Sequence, residues 1–286
     1  MRCEACPRRC GADRAAGETG FCGAAAGIRV AKVMLHNWEE PCLGTPSGAI
    51  FFTGCPLQCV YCQNKPISRC EIPGEIWDED RLAEEMLALR ERGAENIDLI
   101  SPTQYADAIL SALARVKDRL SVPVIWNTGG YETEETVRKC KGLVDIFLTD
   151  MKYGTKELSE KYSAAPDYPE IAAAALSAMV QTAGEPKWQG ERLRSGVVVR
   201  HLVLPGGRHD SVSALRLAAE TVPPTSVVLS LMRQYTPDFA PPEMKTLRRR
   251  VTTFEYESVR DEALRLGFDG FSQDAAAATA AYTPAF

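Results

Sequence analysis

No apolar run in this 286-residue chain is long enough to cross a bilayer. The longest alanine-rich stretch, residues 171–180, falls well short of the about 20 residues a spanning helix needs. The opening segment MRCEACPRRC lacks the apolar core of a signal peptide. Basic residues are not in excess either: 33 Lys and Arg face 38 Asp and Glu, a net charge of -5. That balance gives no electrostatic drive toward nucleic acid, and Arg248-Arg249-Arg250 reads as a solvated helix face. A soluble cytoplasmic protein with no membrane or nucleic-acid partner is the expectation. Large apolar side chains are scarce in residues 1–27, where Phe21 is the main one. Such a segment does not fold by burial alone. The rest is ordinary globular sequence, 45% hydrophobic and 25% charged, enough for one large core.

Ten cysteines without a secretion signal argue for metal ligation rather than disulfides. Cys55, Cys59 and Cys62 lie at spacing C-x3-C-x2-C in GCPLQCVYCQN, directly after the strand-like run AIFFT. A fourth cysteine is missing from that loop. Iron–sulfur clusters normally take four, so three thiolates leave one iron open. An open metal position marks a catalytic rather than a structural site. A zinc knuckle would show C-x2-C pairs separated by a long loop, which this stretch lacks. Cys3, Cys6, Cys10 and Cys22 form a second set, C-x2-C-x3-C-x11-C, among five glycines. Four thiolates are a closed set. They predict a metal-stapled extension over 1–27, structural or electron-relaying, holding either zinc or a second 4Fe–4S cluster. Residues 28–286 are then the main unit. Cys42, Cys70 and Cys140 fall in no motif and are read as packing thiols.

From residue 49 strand-like and helix-like patterns alternate. Short continuous apolar runs occur at 49–53, 96–100, 123–126, 143–148, 196–204 and 226–231, as in parallel strands buried on both faces. Helical patterns fill 78–92, 103–118, 133–141, 169–181 and 210–220. The fold predicted is α/β, a partial (β/α)6 parallel barrel. Right-handed crossovers place all strand C-termini at one mouth, where such barrels keep their chemistry. Polar or glycine-rich residues do follow the strands: Ser101-Pro102-Thr103, Asn127-Thr128-Gly129-Gly130, Asp150-Met151-Lys152 and Pro205-Gly206-Gly207. Residues 28–35 read as an edge strand. The glycine-rich turn 44–48 precedes the cysteine strand, where glycine allows close approach to a cofactor. His36 could face the site, although a lone histidine is more often a hydrogen-bonded structural group. Arg200 and His201 are neighbours on one strand and must face opposite sides; the pattern leaves open which one faces the mouth.

The C-x3-C-x-aromatic-C spacing with Tyr61 resembles the signature of the radical S-adenosylmethionine (radical SAM) superfamily. Further segments resemble a branch related to pyruvate formate-lyase activating enzyme: CPRRCG, HNWEEP, FFTGCPLQCVYCQN, NIDLISPTQY, WNTGGYE, DIFLTDMKY, KYSAAPDYPE, RHLVLPGG and LMRQYTP, with weaker matches EYE and GFDGFSQ. This resemblance implies a 4Fe–4S cluster on Cys55, Cys59 and Cys62, with S-adenosylmethionine on the open iron. Cleavage there gives a 5'-deoxyadenosyl radical for hydrogen abstraction. The partner implied is a glycyl-radical enzyme, and the reductant is of flavodoxin or ferredoxin type. Alternatives are radical modification of a peptide or small molecule, and a non-catalytic iron–sulfur electron carrier. For the cofactor, the resemblance assigns Lys152, after Asp150, to the carboxylate, Asn127 to the ribose and Tyr61 to the adenine. Ser101-Pro102-Thr103 stands where the activating enzymes carry Gly-Gly-Glu, so the Thr103 hydroxyl and nearby carbonyls take the contact to the amino group. Read from the residues alone, D-x-K is equally a surface salt bridge, Asn127 a turn residue and Tyr61 a core side chain.

Overall fold

A computed structural model describes residues 2–278 and contains a strand at each predicted apolar run. In chain order the strands are β1 (Ile28–His36), β2 (Ser47–Phe52), β3 (Glu75–Trp77), β4 (Asn96–Ile100), β5 (Val124–Thr128), β6 (Ile146–Asp150), β7 (Lys187–Gln189), β8 (Arg192–Leu202), β9 (Val228–Met232) and β10 (Gly270–Ser272). They make one sheet in the order β10-β9-β8-β6-β5-β4-β2-β1-β3, with β7 folded back on β8. From β2 through to β10 the pairs along this path are parallel. β1 runs antiparallel to β2, and β3 antiparallel to β1. With β3 and β10 at its two ends, the sheet is an open α/β partial barrel.

Strands β2, β4 and β5 are buried at every residue, as the continuous apolar runs require. Side-chain alternation then sorts the residues between two faces. Phe147, Val197 and Val199 pack with the helices in the main core. Ile125, Ile146, Leu148, Val198 and Val228 face the interior and meet Cys42 and Leu43 there. Each large apolar side chain so buried stabilises the fold by about 1.5–3 kcal/mol. The helices are α1 (Lys65–Ser68), α2 (Glu79–Glu91), α3 (Ala106–Leu120), α4 (Glu134–Lys139), α5 (Lys156–Ser163), α6 (Tyr168–Ala183), α7 (Arg208–Thr221) and α8 (Thr253–Arg265). Side-chain caps start several: Asp78 accepts from the Arg81 amide, Thr133 from Thr136, and Thr252 forms a capping box with Glu255. Each such cap is worth about 1 kcal/mol. Among the described residues no helix is long and apolar enough to cross a membrane.

The structure departs from the sequence reading at several points. β1 is not the edge of the sheet, because β3 pairs on its outer side. The turn 44–48 does not approach the mouth. Ser47 opens β2 and pairs with His36, so the turn lies at the end opposite the cysteines. A Cβ at Gly48 would press on Ala94 and Leu89, so tight packing there leaves no space for a larger residue. β7, β10, α5 and α8 were not expected. β7 and β10 are three-residue strands without an apolar run. The N-terminal segment is tied into the main unit, since Cys22 and Ala24 are buried in the core shared with the sheet.

Candidate active site

The cysteine loop follows β2 directly and is fixed through its backbone. Gly54 has φ +83°, a left-handed conformation that favours glycine, and a Cβ there would stand 2.5 Å from the Cys22 carbonyl. The Gly54 amide donates to Ile67 and the Cys55 amide to Cys22. The Gln104 side-chain nitrogen lies within 2.9 Å of the Thr53, Gly54 and Ser101 carbonyls, linking the loops after β2 and β4. Arg8 donates to the carbonyls of Pro56, Ser163 and Ala164. Its guanidinium also sits 4.0 Å from the centre of the Phe21 ring.

Donors point at the sulfurs. The Leu57 amide is 3.4 Å from Cys55 Sγ, and Ser163 Oγ donates to Cys59 Sγ at 3.1 Å. Burial, reinforced by the neighbouring thiols, pushes Cys55 up to about 12. Burial raises Cys62 too, while the Lys152 ammonium works the other way. Free thiolates are thus disfavoured here, and a positively charged centre would stabilise them. Among the described residues no three His, Cys, Asp or Glu side chains converge on the position of one ion. A cubane asks for a different arrangement, one thiolate at each of three separate iron corners. Three loop cysteines, two of them supplied with hydrogen-bond donors, fit that requirement.

These cysteines line a cavity of about 460 Å³ together with Ser101, Asn127, Gly129, Asp150, Lys152 and Arg200. Lys152 and Asp150 form an ion pair. Burial alone would lower Lys152, but Asp150 beside it holds its ammonium above the usual range. Burial would likewise raise Asp150; Arg200 and Lys152 outweigh it and keep the carboxyl below its usual range. Arg200 Nε donates to Asp150 at 2.9 Å, and its Nη2 donates to Asn127 Oδ1 at 2.5 Å. Tyr168 accepts from the Lys152 amide, and its hydroxyl lies 2.9 Å from the carbonyls of Gly129 and Asp150. Gly130, at φ +81°, lets the loop after β5 pass the Asp150 carbonyl, where a Cβ would come within 2.2 Å. Arg200 is therefore the inward member of its pair. His201 turns away, 1% exposed, and donates Nδ1–H to the Met151 carbonyl at 2.6 Å. Burial lowers it to about 4, so its ring is neutral.

Another wall of the cavity was not anticipated. After β1 the chain turns inward, and His36, Trp38, Glu39 and Glu40 line the same space. This segment enters at the start of β2, whereas the cysteines follow its end. Glu39 Oε2 lies 3.8 Å and Glu40 Oε1 4.0 Å from the Arg200 guanidinium. Asp98, fully buried on β4, accepts from Asn127 at 3.2 Å, and its other oxygen has no hydrogen-bond partner among the described residues. Burial raises Asp98 well above its usual value and raises Glu39, with Arg200 opposing both; it pushes Glu40 up to about 7. One sequence signal could have pointed here: an aspartate inside the apolar run NIDLI needs a buried partner.

Two of the residues assigned to the cofactor do not line this cavity. Thr103 is buried away from the cavity, and its hydroxyl donates to Glu132 Oε1 at 2.6 Å; Thr128 and Trp126 donate to the same oxygen. It is committed to that buried carboxyl. Tyr61 is absent from the cavity lining; its hydroxyl meets Tyr153 at 2.9 Å and its ring packs edge-on against Tyr162 and Tyr235. It supports the cysteine loop from behind. Ser101, Asn127, Asp150 and Lys152 do line the cavity. In the N-terminal segment Cys3, Cys6, Cys10 and Cys22 come near enough for their charges to interact, and burial raises Cys6 and Cys22. Cys70 approaches the same group, its Sγ 3.8 Å from the Cys22 carbonyl oxygen. Cys42 and Cys140 are buried packing thiols.

Comparison with known proteins agrees with this arrangement. A model of the Radical SAM superfamily matches residues 49–184, the stretch from β2 through α6. An uncharacterised protein of Methanocaldococcus jannaschii is 29% identical over 276 residues, covering 93% of this chain and 75% of its own. Among solved structures, a radical SAM methyltransferase from Sphaerobacter thermophilus superposes with a TM-score of 0.57 at 10% identity, over 87% of this chain and 77% of its own. Methylornithine synthase superposes with a TM-score of 0.51 at 17% identity, over 76% and 63%. At those identities the superpositions speak to fold alone. The family match, with three cysteines at the mouth of a partial barrel, identifies residues 49–184 as a radical SAM superfamily domain.

Proposed function

We propose that the protein binds a 4Fe–4S cluster through Cys55, Cys59 and Cys62, cleaves S-adenosylmethionine there, and abstracts hydrogen from a substrate held inside the sheet. Its specific form is activation of a glycyl-radical partner enzyme, using a flavodoxin- or ferredoxin-type reductant. The observation that carries the core of this reading is one cavity lined by three thiols, two of them supplied with donors, and the Lys152 ammonium. Reductive cleavage to a 5'-deoxyadenosyl radical is the chemistry that a cluster held there supplies. Lys152 offers a compact cation for the cofactor carboxylate, and Asp150 and Arg200 fix its direction. Asn127, already oriented by Asp98 and Arg200, is placed to meet the ribose.

The direct test is anaerobic, reduced protein with S-adenosylmethionine. Formation of 5'-deoxyadenosine is expected; none, in protein carrying about four irons at this site, overturns the reading. A glycyl radical signal in an added partner enzyme would support the specific form. Lys152→Ala is expected to weaken cofactor binding by about 10- to 100-fold, since a charge-assisted hydrogen bond is worth about 1.5–3 kcal/mol. Equilibrium dialysis measures this, and unchanged affinity removes Lys152 from the site. We further propose that Cys3, Cys6, Cys10 and Cys22 hold a second metal group. Metal analysis decides its kind: about eight irons per chain for a second cubane, or about four irons and one zinc.

A further inference from the structure

The acidic wall of the cavity has more carboxyls than cations to match them. Asp150 and Lys152 neutralise each other as a pair. The remaining cation, Arg200, bonds directly to Asp150 and Asn127 and keeps Glu39 and Glu40 at 3.8–4.0 Å. Among the described residues that leaves three acids, Asp98, Glu39 and Glu40, facing one guanidinium. Glu40 is 8% exposed and lines the cavity, and its Oε2 has no hydrogen-bond partner among the described residues. A buried acceptor without a donor is costly, about 1–3 kcal/mol and more for a charged group. Such an atom on a cavity wall persists where an incoming molecule supplies the donor.

The cofactor is a poor candidate for that donor. Glu39 and Glu40 follow β1, whose last residue, His36, pairs with Ser47 at the start of β2, whereas the loop cysteines follow Phe52 at its end. Cys42 packs at the far end of the interior among Ile125, Ile146 and Val198. The wall thus belongs to the part of the cavity left for the substrate.

We propose that Glu40, backed by Glu39, binds a protonated nitrogen of the substrate, an ammonium, amidinium or guanidinium group. This rests on the reading of the cavity as the radical SAM site. Its test is by binding, so it does not need turnover. Ligand-observed NMR on anaerobic, cluster-loaded protein with S-adenosylmethionine present would compare n-butylamine, n-butanol and butyrate. A second arm compares a capped Gly-Lys-Gly peptide with its norleucine analogue, separating a small amine from a lysine side chain. The amine forms are expected to bind at least about tenfold tighter than their neutral analogues, the scale of one charge-assisted hydrogen bond. Butyrate is expected not to bind. Glu40→Gln keeps the shape, and the amine preference is expected to vanish. Equal binding of amine and alcohol by the native protein overturns the proposal, as does an amine preference that survives Glu40→Gln. An equal loss of cofactor affinity in that variant also overturns it, because the wall would then serve the cofactor's own ammonium. A protein that prefers amines yet forms no 5'-deoxyadenosine would sink the radical SAM reading and leave this one standing.

Discussion

Alanine at Cys55, Cys59 or Cys62 is expected to abolish reductive cleavage of S-adenosylmethionine and to strip about four irons from the chain. With three thiolates and no fourth, a single loss leaves two anchors for a cubane. The loop itself is expected to survive, because backbone groups hold it: Gln104 on the Thr53 and Gly54 carbonyls, Arg8 on Pro56, and the Cys22 carbonyl under the Cys55 amide. Circular dichroism should therefore match the parent while iron analysis does not. Cys140→Ala is the control. That thiol is buried at the end of α4 and donates to the Thr136 carbonyl. Its loss is expected to leave iron content and cleavage in place. Cleavage persisting in any of the three loop variants would remove that cysteine from the site.

Arg200→Met is expected to cost about 3–5 kcal/mol, the scale for stripping a buried charge of its partner. The Arg200 side chain is 17% exposed and is the cation facing Asp150, Glu39 and Glu40 together. Methionine keeps most of the volume, so the loss is electrostatic rather than a cavity. The pH dependence follows from linkage. Burial raises the folded-state values of Glu39, Glu40 and Asp98 above their ordinary ones, with Glu40 at about 7 against a reference of 4.5. Above the ordinary value the unfolded chain has already lost these protons while the folded chain keeps them. Stability from these groups is thus present at low pH and falls as pH rises toward 7. Arg200 opposes this by favouring the charged forms, so its removal should steepen the fall. Denaturant melts of parent and variant at pH 5 and pH 7 measure both effects. A variant within about 1 kcal/mol of the parent at both values would show that the acids stay protonated without the guanidinium.

Much of this fold was legible because parallel strands buried on both faces have no polar phase to hide them. AIFFT, NIDLI and DIFLTD announce themselves as apolar runs, and their C-terminal ends carry the polar residues of the mouth. The loop cysteines were legible for a related reason: ligand spacing is local in sequence. Lys152 and Asp150 were legible as a pair at period two. The acidic wall was not. Glu39 and Glu40 precede Pro41 in a stretch with no strand or helix periodicity, and only tertiary packing carries that stretch inward to Arg200. Thr103 and Tyr61 were misplaced for the converse reason. Tyr61 sits beside Cys62 and Thr103 two residues after Ser101, which do line the cavity, and local sequence does not say which way a side chain turns. Thr103 turns to Glu132 and Tyr61 to Tyr153.

The cavity is finished by the tail of the described chain: Phe271, Ser272 and Gln273, on and just after β10, complete its lining. β10 begins at Gly270, 208 residues after Cys62. At about 5–20 residues per second, a ribosome takes roughly 10–40 s to cover that distance. All seven cysteines of the two metal sets therefore leave the ribosome as reduced thiols well before the chamber beside them exists. During that interval they meet the redox state of their surroundings without a shell, and oxygen reaching the nascent chain finds them at their most accessible.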